Sequence, residues 1–114
     1  MENKIEPTFT AKIYLAGDIE LIKTACRKYC LNVGLCVTVT PTLFIYTGGE
    51  EYGCEVGIIN YPRFPSTPHK LQETAIELAA LCRDAAFQHS YLVLTPEDTI
   101  YNSSRPTAPS STSK

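Results

Sequence analysis

Two segments of this 114-residue chain carry apolar residues at helical spacing, and they limit the folds that the chain can adopt. The first segment follows Asp18, a typical helix N-cap, and stops at Gly34, where a left-handed C-terminal cap is expected. The second begins at Thr67, has Pro68 in the first helical position and keeps its phase to about Gln88. Each helix has a single apolar stripe, so each can cover one face of a sheet.

The remaining ordered segments have the β-branched and alternating composition of strands. The predicted strands are residues 12–16, 35–40, 43–47, 54–60, 91–95 and 99–102. Pro41 either ends the second strand or places it near a sheet edge. The order β-α-β-β-β-α-β-β predicts an α+β two-layer sandwich, in which two helices cover one face of a mostly antiparallel sheet and leave the other face free.

A chain of this length is expected to form one compact domain, since it is too short for two ordinary ones. Residues 1–10 show no period and predict a flexible N-terminal arm. Residues 11–105 are the expected α+β domain. Residues 106–114 contain almost only Ser, Thr and Pro, so a disordered tail is predicted there.

Cysteine count, charge and hydropathy indicate the compartment and exclude some partners. Five cysteines and a polar start at Met1 without a signal segment are typical of the cytoplasm. No apolar run approaches the roughly 20 residues that span a bilayer, so no membrane association is expected. The net charge of -2 argues against a nucleic acid polymer as partner.

The absence of catalytic motifs predicts that the chain is not an enzyme. It contains no HExxH, GxSxG or P-loop pattern. Cys82 and His89 are separated by roughly 10 Å along one helix, too far for a direct proton relay. Cys26 and Cys30 are one helical turn apart but lack a second ligand pair, so no metal and no cofactor are expected.

Basic, aromatic and glycine residues suit the binding of an anionic, base-bearing small molecule, because guanidinium groups bind phosphate, bare amides approach it closely and aromatic rings stack on bases. The candidate ligand-binding residues are Arg27, Lys28, Thr47, Gly48, Tyr61, Arg63, Phe64, Phe87, Asn102 and Arg105. Prolines stiffen the connector that holds three of them, which favours ligand binding. The alternative for this connector is a rigid crossover that docks Phe64 into the core.

Four segments resemble those of a family of small phage proteins. They are LCVTVTPT at 35–42, YTGGE at 46–50, INYPRFP at 59–65 and VLTPEDT at 93–99. On these residues the chain resembles the first-described family of Thoeris anti-defence proteins, phage sponges that sequester the cyclic ADP-ribose isomer made by host immune TIR enzymes. The resemblance spans about residues 12–105 and implies a homo-oligomer, a dimer or an assembly of dimers, acting in the host cytoplasm during infection.

The leading expectation is therefore a sponge that binds a cyclic nucleotide-type immune signal, such as glyco-cyclic ADP-ribose or a cyclic oligonucleotide, without cleaving it. The resemblance places basic and amide side chains beside phosphates or ribose, namely Arg27 or Lys28, Arg63, Asn102 and Arg105. It places an aromatic ring against the base, from Tyr61, Phe64 or Phe87. The alternative is a small protein-interaction module that blocks a host protein. A nucleotide-processing enzyme ranks last.

Overall fold

The computed structural model describes residues 2–104 and contains five strands and two helices. In chain order they are β1 (Thr10–Ala16), α1 (Ile19–Val33), β2 (Val37–Tyr46), β3 (Gly49–Ile59), α2 (Pro68–Ala85), β4 (Ser90–Leu94) and β5 (Thr99–Ser103). The strands form one sheet in the order β2-β3-β1-β4-β5, and every pairing is antiparallel. The predicted α+β sandwich is confirmed.

The predicted element order is wrong in one detail, because it divides β2 into two strands at Pro41. In the structure β2 runs unbroken, and Pro41 lies opposite Cys54 of β3. β2 is an edge strand, where a backbone N–H that points outward needs no partner in the ladder. A proline therefore fits within β2 without interrupting it.

The helix boundaries follow from local capping chemistry. The Asp18 carboxylate accepts a hydrogen bond from the backbone N–H of Glu20 at 2.9 Å, and Gly34 ends α1 with a φ of 69° that favours glycine. At the start of α2, the Thr67 hydroxyl accepts a hydrogen bond from the N–H of Lys70 at 3.1 Å. α2 ends at Ala85, before the predicted end, because the chain turns at Phe87 with a φ of 57°.

The hydrophobic core lies between the helices and one face of the sheet. Strand residues that point toward the helices are buried, and their neighbours in sequence point the other way. The buried strand residues are Ala11, Ile13, Leu15, Cys54, Val56, Ile58, Tyr91 and Val93. The helices contribute Ile22, Cys26, Tyr29, Leu71, Ala75, Leu78, Ala79 and Cys82. This packing leaves the opposite sheet face uncovered by either helix.

The segment before β1 is attached to the domain by Asn60. The Asn60 side-chain amide donates to the Pro7 carbonyl at 2.9 Å, and the Asn60 backbone N–H donates to the Phe9 carbonyl at 3.1 Å. Phe9 also packs against the core. The tail predicted at 106–114 lies outside the described residues. Within residues 2–104, no helix is long and apolar enough to cross a membrane.

Candidate functional site

The uncovered face of the sheet carries a compact group of charged and aromatic side chains at its centre. Lys12 and Tyr14 of β1 alternate with buried residues and therefore point away from the helices. Tyr14 lies directly opposite Glu55 of β3. Phe44 of β2 completes the group, which we call the open-face cluster: Lys12, Tyr14, Phe44 and Glu55.

Glu55 is the centre of the polar contacts in the open-face cluster. Its Oε2 atom lies 3.7 Å from Nζ of Lys12, and its side chain is 26% exposed. A hydrogen bond between the Tyr14 hydroxyl and Glu55, together with burial and the negative charge, raises the pKa of Tyr14 above its usual value. Tyr14 therefore remains a neutral hydrogen-bond donor at physiological pH, beside a carboxylate that is paired with a cation.

Gly53 allows Phe44 to reach this cluster across β3. The rings of Phe44 and Tyr14 meet edge to face, with centroids 6.2 Å apart and an interplanar angle of 77°. A Cβ atom at Gly53 would lie 2.8 Å from Cε2 of Phe44, so any side chain there would displace the ring. The absence of a side chain at Gly53 therefore allows the Phe44 ring to pack on Tyr14, next to the charged groups of the cluster.

The strand register extends this surface across the whole sheet. One cross-strand row consists of Thr40, Glu55, Tyr14, Leu92 and Tyr101. Tyr101 is 65% exposed, so the row ends in accessible aromatic surface. Aromatic faces and a carboxylate attract a cation, whereas an ammonium group attracts an anion. The face therefore presents groups that attract a cation and an anion beside accessible aromatic surface.

Three of the sequence-predicted site residues line three separate cavities. Arg27 lies at a cavity between α1 and β2, and Lys28 lies in a groove between α1 and α2. Phe64 lines a third cavity, between the end of α1 and the start of α2. These side chains do not converge within one chain.

The predicted connector residues do lie together. The rings of Tyr61 and Phe64 have centroids 6.0 Å apart, and the Arg63 guanidinium lies 5.8 Å from the Phe64 ring centroid. Phe64 remains 36% exposed, so the connector is not a crossover that buries this ring completely. A ligand-binding role for these three residues stays a prediction.

The other predicted residues occupy further positions. Thr47 and Gly48 form the tip of the β2–β3 hairpin, and Phe87 follows α2 with 84% of its surface exposed. Asn102 lies on β5, where its Oδ1 atom accepts a hydrogen bond from Nη1 of Arg83 at 2.6 Å. Arg105 lies outside the described residues. Binding by these residues also stays a prediction.

None of the four residues of the open-face cluster is among the site residues predicted from the sequence. The sequence predicts a strand at residues 12–16, in which Lys12 and Tyr14 alternate with Ile13 and share the side of the strand opposite to it. Glu55 gave the same signal, because it is a charged residue between two buried ones in β3. The alternation of buried and polar residues indicates that Lys12, Tyr14 and Glu55 all point away from the core. It does not indicate that β1 pairs with β3.

Fold and site together define a small α+β protein whose antiparallel sheet is covered by helices on one side and presents an ion pair among aromatic rings on the other. Two solved structures have this fold. A phage SAM lyase in its apo state matches with a TM-score of 0.68 and 13% identity, over 95% of this chain and 99% of that chain. A phage SAM lyase in complex with S-methyl-5'-thioadenosine matches with a TM-score of 0.65 and 14% identity, over 95% of this chain and 98% of that chain.

The comparisons contradict two sequence-based predictions. Both matching structures are lyases, so the predictions of a sponge that leaves its ligand intact and of a protein without enzymatic activity are wrong. No family model and no curated protein matches the chain. The resemblance to the Thoeris anti-defence family therefore stays a prediction.

Proposed function

We propose that this protein is a lyase that cleaves S-adenosylmethionine (SAM) and releases S-methyl-5'-thioadenosine. The observation that carries the proposal is the match of nearly the whole chain to two phage SAM lyase structures, one of them in complex with that thioether. The partner is then a small molecule. A phage anti-defence role would operate through consumption of this molecule, and not through its storage.

The charges of the open-face cluster complement those of SAM. The reacting end of SAM carries a sulfonium cation a few bonds away from a carboxylate. Glu55 and Lys12 present opposite charges 3.7 Å apart, so Glu55 can attract the sulfonium while Lys12 attracts the carboxylate. The rings of Tyr14 and Phe44 supply aromatic surface that favours a cation beside Glu55.

The proposed reaction needs no nucleophile from the protein. A carboxylate oxygen of SAM forms a bond to the sulfur-bound carbon in the amino-acid chain of the same molecule. The bond between this carbon and sulfur breaks, and its electron pair goes to sulfur. The products are S-methyl-5'-thioadenosine and a lactone of homoserine, so atoms and charge balance without water. Orientation of the reacting ends is the main task of such a site. Such a site contains no catalytic motif of the common kinds, so the absence of these motifs from the sequence is compatible with this reaction.

The test is to incubate the purified protein with SAM and to follow S-methyl-5'-thioadenosine by liquid chromatography with mass spectrometry. We expect Glu55→Gln to lower kcat/KM by about 100-fold, because a neutral amide no longer attracts the sulfonium. Tyr14→Phe should lower it by about 10-fold through loss of the hydroxyl that orients Glu55. Circular dichroism would check that both variants fold.

Glu50→Gln is the matched control, since Glu50 is an exposed glutamate on the same strand but at the hairpin end. It should keep the wild-type rate. If the folded wild-type protein leaves SAM intact, the proposed reaction is wrong. If Glu55→Gln and Glu50→Gln are equally active, the reaction takes place away from the open-face cluster.

A further inference from the structure

A cavity between α1 and β2 brings thiols and positive charges together on the helix side of the sheet. Its volume is about 440 Å³. It is lined by Cys26, Cys30 and Cys36 and by the cationic side chains of Lys23 and Arg27. Cys36 is exposed at this cavity, whereas Cys26 is buried at its inner end with 3% of its surface accessible.

Cys26 also contacts a thiol on the other helix. Its Sγ atom lies 3.8 Å from Sγ of Cys82, which is fully buried on α2. A disulfide requires a sulfur–sulfur distance of about 2.05 Å. The two sulfur atoms must therefore move closer together by less than about 2 Å. Both cysteines are free thiols in the structure.

We propose that Cys26 and Cys82 form an oxidation site, in which hydrogen peroxide enters through this cavity and converts the two thiols into a disulfide between α1 and α2. The site is on the opposite side of the sheet from the open-face cluster. It is therefore independent of the lyase activity proposed above.

The reaction takes place in two balanced steps. The Cys26 thiolate attacks one peroxide oxygen, the oxygen–oxygen bond breaks, and the products are a sulfenic acid on Cys26 and hydroxide. The Cys82 sulfur then attacks the Cys26 sulfur, and the sulfenic oxygen leaves as water with the Cys82 proton. Peroxide is reduced and the two thiols are oxidised, with no other reactant.

Electrostatics favour Cys26 as the residue that reacts first. The hydrogen bond with Cys82 and the positive charge of Arg27 lower the pKa of Cys26, which offsets the effect of burial. Burial raises the pKa of Cys54 to about 11 and also raises that of Cys30. The hydrogen bond with Cys26 and burial raise the pKa of Cys82. Among residues 2–104, no three side chains are placed to bind a metal ion that would compete for these thiols.

The experiment treats the wild-type protein with hydrogen peroxide and maps its peptides without reduction. We expect a linked pair of peptides that contain Cys26 and Cys82, with the loss of two hydrogen atoms, and its disappearance after dithiothreitol. The bond closes a separation of 56 residues, so the melting temperature should rise by roughly 5 °C or more. The mapping uses the native chain, so it does not depend on the folding of a variant.

Two variants sharpen the test. Cys82→Ala should stop at the sulfenic acid on Cys26, which dimedone traps as an adduct. Cys36→Ala is the matched control at the exposed side of the cavity and should still form the bond. The proposal is overturned if peroxide leaves Cys26 and Cys82 reduced, if it links Cys30 to Cys36 instead, or if Cys36→Ala abolishes the bond.

Discussion

Tyr29 on α1 joins the two helices through one hydroxyl group. Tyr29 is 7% exposed, and its hydroxyl donates a hydrogen bond to Oε1 of Glu77 on α2 at 2.6 Å. Burial, this hydrogen bond and the negative charge of Glu77 raise the pKa of Tyr29 well above its usual value of 10.0. The folded protein therefore keeps a proton that the unfolded chain loses in alkaline solution.

This proton makes the stability of the protein depend on pH. The stabilising contribution of Tyr29 is fully present below a pH of about 10 and decreases above it by up to about 1.4 kcal/mol per pH unit, because the unfolded chain ionises first. Tyr29→Phe should lower the free energy of unfolding by about 1 kcal/mol at neutral pH and make the alkaline decrease shallower. Urea denaturation at several pH values measures both effects.

Tyr101→Phe is the matched control, because Tyr101 is 65% exposed on β5. It should leave the stability at neutral pH unchanged, because Tyr101 is exposed. If Tyr29→Phe has the same alkaline slope as the wild-type protein, the contribution of this hydroxyl to the pH dependence is contradicted.

The β3 strand contributes to the open-face cluster in two ways, through a charged side chain and through the space left by a glycine. Glu55 provides the carboxylate, and Gly53, two residues earlier on the same face, leaves room for the Phe44 ring. A Cβ atom at Gly53 would also overlap the Leu15 carbonyl oxygen and crowd Cα of Ala16 on β1. The pairing of β1 with β3 and the position of the Phe44 ring thus both depend on the absence of a side chain at Gly53.

Gly53→Ala should therefore destabilise the sheet by about 3 kcal/mol, since backbone atoms of a central strand cannot move aside cheaply. Gly49→Ala is the matched control. Its Cβ would meet only the flexible Tyr46 side chain, at 3.4 Å, so a change of less than about 1 kcal/mol is expected. Urea denaturation of both variants measures the difference, and equal stabilities would show that β1 and β3 adjust more easily than their spacing indicates.

At the scale of the whole molecule, Asn60 joins the connector that follows β3 to the N-terminal segment, which is distant in sequence. It follows β3, donates to the Pro7 and Phe9 carbonyls of the N-terminal segment, and accepts a hydrogen bond from the N–H of Ser66 in the connector at 2.7 Å. Asn60 is 7% exposed, so these partners replace water. Both the N-terminal segment and the connector are held against the end of β3.

Asn60→Ala should lower the free energy of unfolding by about 2 kcal/mol, because the Ser66 N–H and the Pro7 carbonyl lose their partner together. Asn32→Ala is the matched control, as Asn32 is exposed on α1. Hydrogen exchange should also show faster exchange at Ser66 in Asn60→Ala. Wild-type exchange at Ser66 together with unchanged stability would contradict this role of Asn60.

Local sequence was sufficient for most of the fold. Asp18 and Thr67 begin the two helices, Gly34 ends the first, and alternation marks the strands, because caps and side-chain periods depend on residues close together in the chain. The exception is Pro41, because the effect of a proline on a strand depends on the position of that strand in the sheet. A proline that would break a central strand is accommodated at an edge.

The site depends on strand pairing, which local sequence does not specify. Lys12 and Glu55 are charged residues on separate strands, and only the antiparallel register of β1 and β3 brings them within 3.7 Å. The same holds on the helix side, where packing of α1 on α2 brings Cys26 and Cys82 together. Periodicity indicates which way a side chain points. Its contacts depend on packing between elements that are distant in sequence, and this packing is a property of the whole domain.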